Sequence, residues 1–174
     1  MQQFYFLSLG LFIYSITVSG QIIDYKNDKY WIDAGLGMFY TTGQTDGFSG
    51  SFSANLISDN TLYKIRFLYH TEFHMFEYGP TEKFFSVGLM SGRGLSGEYV
   101  QIHFSGGLGI TGGKNRVSGP FERDYFITPS IPLEIDMIIK PLKYLGAGVN
   151  LWGDLNFKRP MSGMVLKLGI GKFR

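Results

Sequence analysis

Residues 30–42 read YWIDAGLGMFYTT, and this stretch carries the clearest secondary-structure pattern in the chain. Every second residue from Tyr30 to Tyr40 is apolar or aromatic, and tyrosine stands at both ends. The positions between them carry Asp33, two glycines and the aromatic residues Trp31 and Phe39. Because side chains along a β-strand point alternately to opposite faces, this period of two predicts a strand with one apolar face that is bounded by tyrosine.

The same alternation recurs along the rest of the chain. It predicts further strands at about 47–57, 62–72, 81–92, 97–111, 124–139, 142–154 and 162–173. Pro129 and Pro132 lie in the sixth strand, where we expect a bulge or an irregular upper part because proline donates no ladder hydrogen bond. The sequence therefore predicts an all-β fold of eight strands.

The connections between the predicted strands alternate in length. Three are short, at 58–60, 93–96 and 140–141, and three are longer, at 73–80, 112–123 and 153–160. The first connection, 43–46, is the exception to this alternation. An even number of strands with short turns at one end and longer loops at the other is typical of an antiparallel, up-and-down transmembrane β-barrel.

Composition indicates which face of the strands points outward. Charged residues make up 17% of the chain, below the roughly 25% of an average soluble domain. The polar face is dominated by Gly, Ser, Thr and Asn, which suit the crowded interior of an eight-stranded barrel. The apolar face then points to lipid, with aromatic residues at both membrane interfaces. The competing interpretation is a soluble periplasmic lipid-binding barrel, which requires the apolar face to point inward.

Charge and cysteine content exclude several classes of function. The net charge is +2, and the scattered Lys and Arg residues indicate no nucleic-acid surface. The chain contains no cysteine, which excludes disulfides, thiolate catalysis, cysteine-ligated metals and a lipid anchor on cysteine. We predict no cofactor.

The N-terminal residues are typical of a targeting segment. Residues 4–18 carry no charge and are too short to span a bilayer as a helix, which needs about 20 residues. They predict a signal peptide over 1–20, cleaved before Gln21, although no Lys or Arg precedes the apolar run. Residues 21–29 then form a lead-in, and 30–174 form the barrel. The alternative is a buried N-terminal strand or helix.

The last hairpin carries a family resemblance. Residues 141–149 read PLKYLGAGV, and 163–174 read GMVLKLGIGKFR. These residues and the strand pattern from Tyr30 onward resemble the small OmpA/OmpX-type outer-membrane β-barrels, and more closely the uncharacterised barrels of the Bacteroidota. The resemblance implies export to the outer membrane of a Gram-negative cell and insertion by machinery that reads an aromatic residue at the C-terminus. Here Phe173 is followed by Arg174.

Charged residues fall on the predicted interior face. They are Asp33, Lys64, Arg66, Glu134, Asp136 and Lys167. Buried charges need partners, so these three acids and three bases predict a paired network that fills the lumen. A proton path, an ion path or an acid/base site is the alternative. Asp33 and Lys167 become neighbours when the first and last strands pair.

One short motif is compatible with catalysis. His103-Phe104-Ser105 places a base and a hydroxyl on the same face of a strand. It resembles the His-x-Ser element of outer-membrane lipid A deacylases. Glu122, beyond the following loop, is the candidate for an orienting carboxylate. The match departs from that family because Gly106 replaces an expected Asn and because the strand phase turns both residues inward. His70 and His74 have no metal-site meaning at this spacing in a strand, and we predict no metal.

The longer loops are the better candidates for recognition, since loops on a rigid barrel commonly carry function. The contact candidates are Phe73, Met75, Phe76, Tyr78, Lys114, Arg116 and Arg123. The aromatic group packs over the barrel mouth, or it binds a partner or lipopolysaccharide. The basic group contacts lipopolysaccharide phosphates or is simply solvated. The leading hypothesis is a non-catalytic outer-membrane barrel with an envelope or partner-binding role. The alternative within the same architecture is a lipid A-modifying enzyme.

Overall fold

The computed structural model describes residues 28–42, 46–72, 82–116 and 123–173. They form β1 (Lys29–Thr41), β2 (Asp46–Ser58), β3 (Thr61–Glu72), β4 (Lys83–Ser96), β5 (Val100–Arg116), β6 (Arg123–Leu142), β7 (Leu145–Asn156) and β8 (Met161–Lys172). Each strand pairs antiparallel with the next, and β1 also pairs with β8, so the sheet closes. The predicted eight-stranded up-and-down barrel is confirmed. The described residues contain no helix long and apolar enough to cross a membrane.

The two ends of the barrel differ. One end, here called the turn end, holds the connections 59–60, 97–99 and 143–144 together with the start of β1 and the end of β8. In the first of these, Asp59 and Asn60 have φ angles of 48° and 63°, as a two-residue hairpin turn of type I′ requires. The opposite end, the loop end, carries the other four connections.

Several boundaries differ from the sequence-based prediction. β4 continues to Ser96 and β6 to Leu142, so their turns begin four and three residues further along the chain than expected. β5 and β6 also run to Arg116 and from Arg123, which places Lys114 in a strand. These hairpins lengthen because glycines and charged residues, which we read as turn signals, remain hydrogen-bonded in the ladder.

The prolines of β6 interrupt its pairing in two ways. Around Pro132 the ladder to β5 is broken, but the register is the same on both sides of the gap. Against β7 the register shifts between Ile139 and Leu142, next to Pro141. The irregularity that we expected from Pro129 and Pro132 is therefore an interruption, and the shift in register lies at a third proline nearer the turn end.

The outer surface is an apolar belt on all eight strands. Leu36, Leu108 and Ile127 are 77%, 77% and 74% exposed. Aromatic side chains bound the belt at the loop end (Tyr40, Phe48, Tyr69) and at the turn end (Tyr30, Tyr63, Tyr144). Soluble proteins rarely expose a contiguous apolar patch above a few hundred Å². An apolar exterior that surrounds a closed sheet instead matches hydrocarbon. The soluble barrel with an inward apolar face is wrong.

The interior is built in three layers. A turn-end apolar layer contains Trp31, Ile57, Leu62, Ile138 and Phe173. A loop-end apolar layer contains Phe39, Leu68, Phe84, Phe126, Trp152, Met161 and Val165. Between them lie seven buried charged residues, here called the charged layer: Asp33, Lys64, Arg66, Glu134, Asp136, Asp154 and Lys167. The apolar layers of a small barrel thus cover its polar centre from both ends.

Candidate functional site

Lys64 is at the centre of the charged layer. Its Nζ donates to Glu134 Oε2 at 2.5 Å and also to a carboxylate oxygen of Asp136. Lys64 lies on β3 and both acids lie on β6, which is not a neighbour of β3 in the sheet. These ion pairs therefore cross the lumen and tie opposite walls of the barrel together.

Arg66 extends the network toward the loop end. Its Nη1 donates to Glu134 Oε1 at 3.1 Å, and its Nη2 donates to Asp154 Oδ2 at 2.7 Å and Ser86 Oγ at 3.2 Å. Asp154 was missed by the sequence analysis because it was placed at the end of its strand. The signal was present, since Asp154 shares the inward phase of Trp152 on β7.

Lys167 joins the first and last strands to the network. Its Nζ lies 3.2 Å from Asp136 Oδ1 and 3.4 Å from Asp33 Oδ1. The carboxylate of Asp33 also accepts hydrogen bonds from Ser53 Oγ at 2.7 Å and Asn55 Nδ2 at 2.8 Å. The structure thus brings all six predicted interior charges into one connected set and adds Asp154.

The charged layer is nearly balanced. Three cations face four carboxylates, and each of these seven residues is at most 5% exposed. A fourth buried cation, Lys140, lies toward the turn end and donates to Ser96 Oγ at 2.9 Å and Gly97 O at 2.7 Å. Buried charge is tolerated only when it is paired and hydrogen-bonded, so this arrangement meets the requirement for a solid polar centre.

Aromatic side chains cover the charged layer on both sides. Toward the loop end, His70 stacks on Trp152 with ring centroids 4.8 Å apart and lies 4.9 Å from Phe39. Toward the turn end, Trp31 lies 5.3 Å from Phe173. Glycines make room for that phenyl ring: a Cβ added at Gly146 would lie 2.7 Å from it. The packing favours a filled interior over a water-filled channel.

His103 and Ser105 lie inside the barrel on β5, and the structure does not bring them to lipid. They are 2% and 7% exposed, and they face Asp136 and Glu134 in the β5–β6 ladder. Neither imidazole nitrogen nor the serine Oγ has a hydrogen-bond partner among the described residues. Glu122 lies outside the described residues. This geometry gives no base and nucleophile pair within reach of a lipid ester.

The histidines supply no metal centre in the described part of the chain. His70 is fully buried between aromatic rings, and His74 lies outside the described residues. No group of three or more potential ligands occurs among the residues that the structure describes.

An ion pair, here called the clasp, links two segments at the loop end. Arg159 Nη2 pairs with Glu82 Oε2 at 2.7 Å, and its guanidinium lies 5.0 Å from the centroid of the Phe84 ring. Asn156 Oδ1 accepts the backbone N–H groups of Lys158 and Arg159 at 3.0 and 2.6 Å. This clasp ties the β7–β8 connection to the start of β4. The sequence analysis missed it because its partners are 77 residues apart.

The predicted loop contacts have different outcomes. Phe73, Met75, Phe76 and Tyr78 lie outside the described residues. The backbones of Arg116 and Arg123 end β5 and begin β6, directly opposite each other in the ladder. Lys114 lies within β5, opposite Lys83, and its Nζ is 4.9 Å from the centroid of the Tyr125 ring.

Comparison with known proteins identifies the fold and no family. No protein-family model matches the chain. No curated protein matches its sequence either.

Solved structures match the whole barrel at low sequence identity. Neisserial surface protein A has a TM-score of 0.60 and 12% identity, covering 84% of this chain and 97% of that one. Ail, the attachment invasion locus protein of Yersinia pestis, has a TM-score of 0.56 with the same identity and coverage. The N-terminal β-barrel domain of Pseudomonas aeruginosa OprF has a TM-score of 0.56 and 13% identity, covering 82% and 96%. At these identities the likeness establishes the fold alone.

Proposed function

We propose that this chain, which has the fold of small outer-membrane β-barrels, is an integral outer-membrane protein without catalytic activity. Its barrel serves as a membrane anchor, and its loop end makes the functional contacts, with the cell envelope or with an external partner. The barrel is exported by the segment 1–20, and outer-membrane lipid and lipopolysaccharide surround it.

One observation carries this proposal: the polar and apolar faces of the barrel are inverted relative to a soluble protein. Seven charged side chains are buried at its centre, and the exposed exterior is aliphatic and aromatic. Burying charge inside while exposing hydrocarbon outside is unfavourable in water and favourable in a bilayer. A filled lumen further favours an anchor over a pore.

The comparisons support the location and suggest one class of partner. The barrels of similar fold include Neisserial surface protein A, and Ail has been solved in complex with sucrose octasulfate, a heparin analogue. Lys158, which is exposed in the β7–β8 connection at the loop end, gives an anionic partner a favourable contact. Recognition of the C-terminal strand by the insertion machinery is also part of this proposal.

Heat-modifiability tests the proposal. The full chain is expressed in a Gram-negative host, membranes are fractionated, and extracted protein is compared with and without boiling in SDS electrophoresis. We expect outer-membrane recovery and a faster band without boiling, because a closed barrel stays compact in SDS. A soluble periplasmic protein with no band shift would contradict the proposal.

Conductance and lipid A provide two further tests. In planar bilayers the folded protein is expected to give no steady channel current, because the charged layer fills the lumen. The lipid A of cells that express the protein should have an unchanged mass. Stable channels would refute the anchor role, and a lost acyl chain would establish the deacylase alternative.

A further inference from the structure

Two lysines face outward where the apolar belt ends toward the loop end. Lys83 begins β4 and lies directly opposite Lys114 of β5. Phe84, the next residue of β4, is 1% exposed and points into the lumen. Strand alternation therefore turns both lysines to the outer face, the face that carries Val87 and Ile110 nearer the middle of the barrel.

These lysines have no acidic partner among the residues that the structure describes. Neither is engaged in an ion pair with any described carboxylate, whereas the nearby Glu82 is paired with Arg159. Like charges directly opposite each other in a ladder destabilise the sheet. The ammonium group of Lys114 instead lies over the ring of Tyr125 on the adjacent strand β6. An unbalanced cation pair of this kind is stabilised when an anion binds between the two groups.

The strand register places two arginine positions in the ladder beyond this pair. Arg116 of β5 lies opposite Arg123 of β6, two residues further from the belt than Lys114. Four cationic residues thus belong to the adjoining ends of three neighbouring strands. Their height along the barrel, just beyond the last apolar row, is where the headgroups of the outer leaflet lie around a membrane barrel.

We propose that Lys83, Lys114 and Tyr125 form a binding site for the phosphate group of an outer-leaflet lipid. The two ammonium groups donate charge-assisted hydrogen bonds to the phosphate oxygens, and the phenol of Tyr125 provides a third donor at the interface. The apolar belt below holds the acyl chains of the same lipid. This site rests on the proposed placement of the barrel in the outer membrane.

The test compares two double variants of the full chain. K83Q/K114Q removes the site, and K143Q/K172Q removes the same charge at the turn end. Each protein is extracted from outer membranes in mild detergent, and bound lipid A is quantified by native mass spectrometry. We expect K83Q/K114Q to retain about fivefold less lipid A than the wild type, the loss of two partly screened contacts. K143Q/K172Q should match the wild type.

Added ligands distinguish the source of the phosphate. Lipid A without its phosphates should bind the wild type and K83Q/K114Q equally, while inorganic phosphate and sucrose octasulfate should not displace intact lipid A from the wild type. Displacement by inorganic phosphate would overturn the lipid assignment in favour of a free anion. Displacement by sucrose octasulfate would overturn it in favour of a polyanionic sugar.

Stability in vesicles separates this inference from the proposed function. In phosphatidylcholine vesicles, K83Q/K114Q should be at least as stable as the wild type, because a like-charge pair is removed. Added lipid A should stabilise the wild type and not the double variant. Equal stabilisation of both would overturn the site while leaving the membrane anchor intact. The proposed function itself would be refuted if the wild-type chain inserted neither into phosphatidylcholine vesicles nor into such vesicles with added lipid A.

Discussion

Two neighbouring regions of the barrel interior are equally buried and differ in how their polar groups are satisfied. In the charged layer, every one of the seven charged side chains has an oppositely charged partner. Beside it, Gln101, His103 and Ser105 occupy successive inward-facing positions of β5, and none of their side-chain polar atoms has a hydrogen-bond partner among the described residues. The first region is a connected network and the second is a column of isolated groups.

This difference indicates which buried polar groups stabilise the barrel. Removing one partner of a buried ion pair leaves a charge without compensation, at a cost of about 3–5 kcal/mol. Replacing a buried polar group that has no partner with an apolar group of similar shape is nearly neutral or stabilising. Mutations in the two regions should therefore have very different effects, although both regions are polar and buried.

The largest expected effect is that of Lys64→Met. It leaves Glu134 with Arg66 alone and removes one of the two cations that face Asp136. We expect the free energy of unfolding to fall by about 3–5 kcal/mol, measured by urea titration in vesicles with heat-modifiability as the readout. Lys143→Met, at an exposed turn, is the control. A loss below 1 kcal/mol would mean that the network does not stabilise the barrel.

Asp154→Asn should have an intermediate effect. It removes one charge-assisted partner of Arg66, which keeps Glu134 at 3.1 Å and Ser86 at 3.2 Å. The amide that replaces the carboxylate still accepts a hydrogen bond, so we expect a loss of about 1–3 kcal/mol in the same titration. A loss as large as that of Lys64→Met would show that Arg66 depends mainly on Asp154.

His103→Leu should have the smallest effect. The imidazole has no hydrogen-bond partner among the described residues and packs 6.0 Å from the ring centroid of Trp31. We expect a change of at most about 0.5–1 kcal/mol in either direction, and no change in the lipid A of cells that express the variant. Destabilisation as large as that of Asp154→Asn would reveal a hidden partner for His103 and remove the contrast between the two regions.

The fold and the orientation of its faces could be predicted from the amino-acid sequence alone. The alternation of Tyr30–Tyr40 predicted the first strand, because strand side chains alternate strictly and one shift of phase would reverse the whole set. The small and polar residues of the opposite face then indicated that the apolar face meets lipid. For the same reason Asp33, Lys64 and Arg66 were predicted to lie inside. Turn positions were predicted less well, since glycine and charged residues occur both in turns and in ladders.

Which interior side chains contact each other could be seen only in the tertiary structure. Strand phase gives the direction of a side chain, but the distance across the lumen depends on the stagger of all eight strands. That stagger brings Lys64 to Glu134 from strands that are not neighbours, and it joins Glu82 to Arg159. It also aligns Lys83 with Lys114, two residues of different chain segments whose pairing no local pattern contains. Contacts between distant segments are set by closure of the sheet, and closure is a property of the whole chain.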